Sequence, residues 1–197
     1  MENEIPDREN PRPQAPAAGA GLKDPMLFRL TQLARNCGFT HVCGLKTETL
    51  KLRTEVRSAC EADKCKSYGR SWSCPPACGS LEDCEKRIRQ YSSGLLLQTT
   101  GCLEDTLDYE GMQRIEEEFD AQIRKFKTAL PGYLVLGKGP CKACAQCTYP
   151  KEACRFPSGK IISMEAMGLI VSDVCTANGM AYYYGPNTIS FTGCVLF

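Results

Sequence analysis

One histidine, His41, stands among 197 residues, and its isolation removes most histidine-based chemistries. Zinc-enzyme ligand sets, Ser-His-Asp triads and Cys-His pairs have at most this residue to draw on. Neither sign of charge is in excess, since 24 Lys and Arg balance 23 Asp and Glu for a formal net charge of +1. That balance gives no broad attraction to nucleic acid or to an anionic membrane. No apolar run approaches the ~20 residues of a spanning helix. Met1 to Asn10 is acidic and polar, without the apolar stretch of a secretory signal. The expectation is a cytoplasmic protein with no nucleic-acid or membrane partner. No P-loop occurs, and no G-x-G-x-x-G follows a strand, so nucleotide binding has no motif behind it. The radical-SAM spacing C-x3-C-x2-C is missing too: Cys74 and Cys78 supply its first gap, but position 81 is Leu81.

Cysteine is what the chain has in excess, 14 in all. Without an export signal and with clear amphipathic helices, clustered cysteines point to metal rather than to a disulfide framework. Length and a 43% hydrophobic content suit one domain with a sizeable core. Residues 1–23 are rich in Pro, Ala and Gly and read as a disordered tail, leaving 24–197 as a single cysteine-rich metal-binding domain.

Asp24-Pro25 predicts a helix start, Leu27, Leu30, Leu33 and Ala34 its apolar face, and Gly38 its end. A strand follows over Thr40–Lys46. Ser80 to Asp83 resembles a capping box and opens a helix with Leu81, Cys84, Ile88 and Tyr91 on one face. Gly94 to Thr100 reads as a buried strand. The strongest periodicity, Met112, Ile115, Phe119, Ile123, Phe126 and Leu130, predicts a helix over 110–130 with acidic first and basic last turns. Tyr133 to Leu136 is a short strand. Ser163 is expected to cap a helix ending near Asn178-Gly179. Two closing strands, Met180–Tyr184 and Thr188–Phe197, are expected around the Gly185-Pro-Asn187 turn. The fold class is α+β: a small mixed sheet with packed helices and two cysteine-rich metal-binding loops.

The second cysteine group is Cys141-x2-Cys144-x2-Cys147-x6-Cys154. Three thiolates at two-residue gaps let one tight loop wrap a cubane, each sulfur reaching a different iron. Small neighbours such as Gly137, Gly139, Ala143 and Ala145 permit close backbone approach. The bacterial ferredoxin run has three residues before its last cysteine and a proline directly after it. Here the gap is six and the proline is Pro157. Zinc is the competing reading, although its sites more often pair two C-x2-C knuckles across a longer loop. The first group, Cys60-x4-Cys65-x8-Cys74-x3-Cys78-x5-Cys84, offers five thiols for four places. Cys74-Pro-Pro76 is a rigid turn that fixes one thiolate. Trp72 either shields a cluster or serves as ordinary core, and Arg70 either neutralises charge or lies on the surface. Cys84 sits on the apolar stripe of its helix and in its first turns, where the dipole favours a thiolate.

Val56-Arg57-x2-Cys60-x4-Cys65-x2-Tyr68-Gly69-x2-Trp72-x-Cys74-Pro-Pro76 is followed by Gly79-Ser-Leu-Glu-x-Cys84. Gly139-Pro-Cys141-x2-Cys144-x2-Cys147, Cys154-Arg-Phe-Pro157 and Ser163-Met-Glu-Ala166-x-Gly168 come later. In these stretches, spread over about residues 25–197, the chain resembles DUF2284, a family of predicted metal-binding proteins of prokaryotes. The resemblance implies metal binding without a reaction. It favours Cys60, Cys65, Cys74 and Cys84 as the first ligand set, with Cys78 in reserve.

Together these readings lead to two [4Fe-4S] clusters, held by Cys60, Cys65, Cys74 and Cys84 and by Cys141, Cys144, Cys147 and Cys154, in electron transfer or in service of a redox enzyme. A redox partner protein or a small-molecule ligand would complete the system. An alternative is an enzyme with one open iron acting as Lewis acid, its pocket lined by Cys78, Cys175, Cys194, Arg70, Arg155 or Glu165. Another is a zinc-stabilised scaffold. Glu165 also suits the first turn of its expected helix, and Cys175 and Cys194 suit the core.

Overall fold

A computed structural model describes residues 25–197. The expected tail and the Asp24 cap lie outside the described residues. Helix α1 (Pro25–Cys37) buries Leu30, Thr31, Ala34 and Cys37, and Gly38 follows it at φ +106°. Strand β1 (His41–Lys46) leads, after a short 3-10 turn, into α2 (Thr54–Glu61), which the sequence reading did not anticipate. Helix α2 buries no residue completely and so carries no apolar stripe to announce it. Helix α3 (Leu81–Ile88) has the expected capping box: Ser80 Oγ accepts from Asp83 N–H, and the Asp83 carboxylate accepts from Ser80 N–H. Strand β2 (Ser93–Cys102), helix α4 (Tyr109–Thr128) and strand β3 (Leu134–Gly137) fall where expected.

Two expectations fail beyond this point. Ser163 does not cap a helix; it ends the two-residue strand β4 (Ile162–Ser163), and α5 runs only over Val171–Ala177. Residues 164–168 form a turn instead. Gly168 at φ +93° breaks any helix there, and its carbonyl accepts from Arg53 N–H at 2.7 Å. Leu169 bridges to Leu52, so tertiary pairing overrides local periodicity. Nor is Met180–Tyr184 a strand: the last strand, β5 (Thr188–Leu196), pairs with β2 and β3 rather than with its neighbour in sequence.

The architecture is α+β, with a five-stranded mixed sheet in the order β1-β2-β5-β3-β4. All pairings are antiparallel except β3 with β4. Register explains the unbroken Leu95-Leu96-Leu97 run. Leu96 pairs with Cys194 and faces a cluster containing Cys84, Ile88, Met164, Met167, Val174 and Cys175. Leu95 and Leu97 face the opposite cluster, with Val135, Val195, Phe119, Ile123 and Phe126. Both faces are covered, so the central strand is apolar at successive positions. Cys175 and Cys194 are core residues, as one reading of the sequence held.

Parallel β3 and β4 need a crossover. A helix usually supplies it, but here residues 138–161 carry neither helix nor strand and contain the second cysteine group. A long irregular connection inside a packed domain is characteristic of a functional loop.

Candidate metal centre

Cys60 sits in the last turn of α2, and Cys65 lies in the loop that follows, between Asp63 and Lys66 at left-handed φ of 48° and 59°. Asp63 holds this loop. Its Oδ1 accepts from Tyr68 N–H at 2.9 Å and its Oδ2 pairs with Arg70 at 3.1 Å. Arg70 is thereby a loop-bracing surface residue. Gly69 N–H then donates to Pro75 O at 2.8 Å, drawing the chain back beside Cys74. As a result Cys60, Cys65 and Cys74 line one cavity of about 200 Å³, joined by Tyr68, Glu165 and Gly139. Gly139, at φ +57°, carries the second cysteine loop past its rim.

Cys84 does not line this cavity. It is 0% exposed and packs in the hydrophobic core with Cys78. Arg57 reaches both sulfurs, its Nη1 donating to Cys78 Sγ at 3.5 Å and its Nη2 to Cys84 Sγ at 3.3 Å. A hydrogen bond from Cys78, with Arg57 and Arg87 nearby, brings the Cys84 thiol down to about 6, while the same bond to Cys84 and burial push Cys78 up. The Arg57 guanidinium thus sits against both buried sulfurs. Arg57→Ala should cost about 2–3 kcal/mol by leaving the Cys78 and Cys84 sulfurs and Gly79 O without their charged donor. Urea denaturation of the metal-free chain measures this, and a cost below about 0.5 kcal/mol would remove that donor role. Arg57 was quoted in the sequence motif without a role; its place one helical turn before Cys60 was the available signal.

Cys141, Cys144, Cys147 and Cys154 all line a second, tighter cavity of about 20 Å³, room for little more than a water molecule. Trp72, Ser71 and Ser73 form its other wall. Burial alone would raise the Cys147 thiol, but backbone N–H groups of Tyr149, Trp72 and Thr148 and the Ser71 hydroxyl bring it down. The Trp72 N–H donates at 3.5 Å. N–H donors aimed at sulfur are what a bound thiolate requires. Trp72 Nε1 donates to Glu152 O at 3.0 Å and its ring meets Tyr149 edge-on at 4.9 Å, so it covers this loop rather than filling the core.

Successive residues line the two cavities, Pro140 and Cys74 the first, Cys141 and Ser73 the second. Buried Ser73 accepts from Cys141 N–H at 2.9 Å and bonds Ser71 at 2.9 Å; Cys74 lines the first cavity while Ser71, Trp72 and Ser73 line the second. This joining role of two serines left no mark in the cysteine spacing. Lys138 and Lys142 tie the second loop to α4 through Glu116 and Asp120, Lys142 at 2.8 and 2.9 Å. Of the other residues proposed for an open pocket, only Glu165 reaches the first cavity; Cys78, Cys175, Cys194, Arg70 and Arg155 do not line it.

Among the described residues, no three Cys, His, Asp or Glu side chains converge closely enough to hold a single ion. Zinc at 2.3 Å from each sulfur would draw its thiolates to about 3.8 Å of one another. A cluster spreads them further, each on its own iron. No helix among the described residues is long and apolar enough to cross a membrane. No curated protein and no solved structure matches the chain. Residues 43–197, from β1 to the last residue, match one protein family over well over half the length. The chain that gathers its thiols at these two cavities belongs to DUF2284, a family of predicted metal-binding proteins.

Proposed function

We propose that this is an iron–sulfur protein that binds one [4Fe-4S] cluster through each cysteine group, the second loop having to widen beyond its 20 Å³ cavity to take one, and that it serves electron transfer, directly or as accessory to a redox enzyme. The observation that carries this reading is the adjacency of two cysteine-lined cavities: four cysteines line one, three line the other, and residues 71–74 contribute to both. Bound clusters supply reversible one-electron chemistry. The chain's part is to hold two neighbouring thiolate sets, donate backbone N–H groups to sulfur and cover the second loop with Trp72.

Oxygen-free purification followed by iron, sulfide and zinc analysis tests the reading. The expected result is brown protein with iron and inorganic sulfide in equal amounts, roughly eight of each per chain for two cubanes. Colourless protein with zinc as its metal would favour the scaffold reading and end this one.

A further inference from the structure

We propose that Glu165 supplies the fourth donor of the first site, so that one iron there is bound by a carboxylate in place of Cys84. This rests on the iron–sulfur reading and deepens it. Glu165 lines the cavity together with Cys60, Cys65 and Cys74. Its Oε2 is buried and, among the described residues, meets no hydrogen-bond donor. A buried carboxylate oxygen without a partner is unfavourable unless something positive completes it. Arg57 does not serve; its hydrogen bonds go to Cys78, Cys84 and Gly79.

The backbone holds Glu165 in place. The turn after β4 is braced by Ala166 N–H to Ser163 Oγ at 3.0 Å, Met167 N–H to Ser163 O at 3.1 Å and Gly168 N–H to Glu165 O at 2.8 Å. The Ser163 hydroxyl and the Glu165 N–H bond this carboxyl, and a rigid turn that leaves its other oxygen unpartnered beside three thiols is a preorganised donor. Cys84 is in the opposite situation, fully buried, off the cavity wall and already engaged by Arg57 and Cys78. A carboxylate is a harder donor to iron than a thiolate. Its exchange would admit a small oxygen- or nitrogen-donor molecule at that iron alone, with Tyr68 on the same wall.

Oxygen-free preparations of the full chain and of Glu165→Cys, Glu165→Gln and Cys84→Ala decide this by iron count, Mössbauer spectrum and reduction potential. In the unaltered chain one iron should differ from its thiolate-bound neighbours. Glu165→Cys should keep the iron but abolish that distinct site and shift the potential. Glu165→Gln should lose iron from the first cluster, and Cys84→Ala should leave the Mössbauer spectrum unchanged. Unaltered spectra in both Glu165 variants would overturn the assignment, as would loss of the first cluster in a folded Cys84→Ala chain. If Cys84→Ala does not fold, the Glu165→Cys spectrum alone is decisive. An unaltered chain that holds no iron would defeat the iron–sulfur reading, and this inference with it.

Discussion

A chain carrying Cys144→Ser and Cys147→Ser should lose about half of its iron and sulfide and keep its folded core, if each site holds one cubane. The expectation follows from where the second loop sits. Neither hydrophobic cluster contains Cys141, Cys144, Cys147 or Cys154. The loop is fastened from outside, by Lys138 and Lys142 on Glu116 and Asp120, and by Cys141 N–H on Ser73 Oγ. The first set approaches from α2 and the Cys74 turn and loses no thiol in this variant. Metal binding and folding are linked, so stability is compared between metal-free forms. There the double variant should melt within a few degrees of the parent, because it removes no core contact. Loss of all iron would show that the sites assemble as one unit. Undiminished iron would mean that the second loop binds none.

Phe119→Ala should lower stability by about 3–5 kcal/mol. Phe119 is 0% exposed and lies at the centre of the cluster between the sheet and the α1–α4 layer. Its ring meets Phe39 edge-on at 5.9 Å, and Phe39 meets Phe126 edge-on at 5.9 Å. Phe191 on β5 lies at 6.3 Å. Truncation removes a ring from a closely packed space and opens a cavity that the β5 and β3 backbones cannot fill. Helix α4 also presents Glu116 and Asp120 to the second loop, on the turns around Phe119. Loosening α4 should therefore weaken iron retention at the second site before the first. Guanidinium denaturation gives the stability change and timed chelation gives the order of iron loss. A change under about 1 kcal/mol would contradict this packing.

Strongly periodic segments were legible in the sequence. Helix α4 and the capping box of α3 depend on residues three and four apart, and such local patterns need no distant partner. The second cysteine group was legible for the same reason: its members are close in sequence, and one loop brings them to one cavity. The first group was only half legible. Five thiols spread over residues 60–84 span two helices and a loop, and spacing cannot say which of them face the same way. The structure turns Cys60, Cys65 and Cys74 to a cavity and Cys78 and Cys84 to the core.

By itself, then, the amino-acid order determined the periodic helices, the apolar central strand, the richness in thiols and the contiguous second cysteine loop. Tertiary structure alone decided that Glu165 leaves a helix for a turn, that Arg57 claims Cys84, and that Ser73 joins the two cysteine segments. The reason is physical. Hydrogen bonds between residues 27 or 68 positions apart form only when the sheet and its crossover bring those segments together, and local spacing holds no information about that meeting.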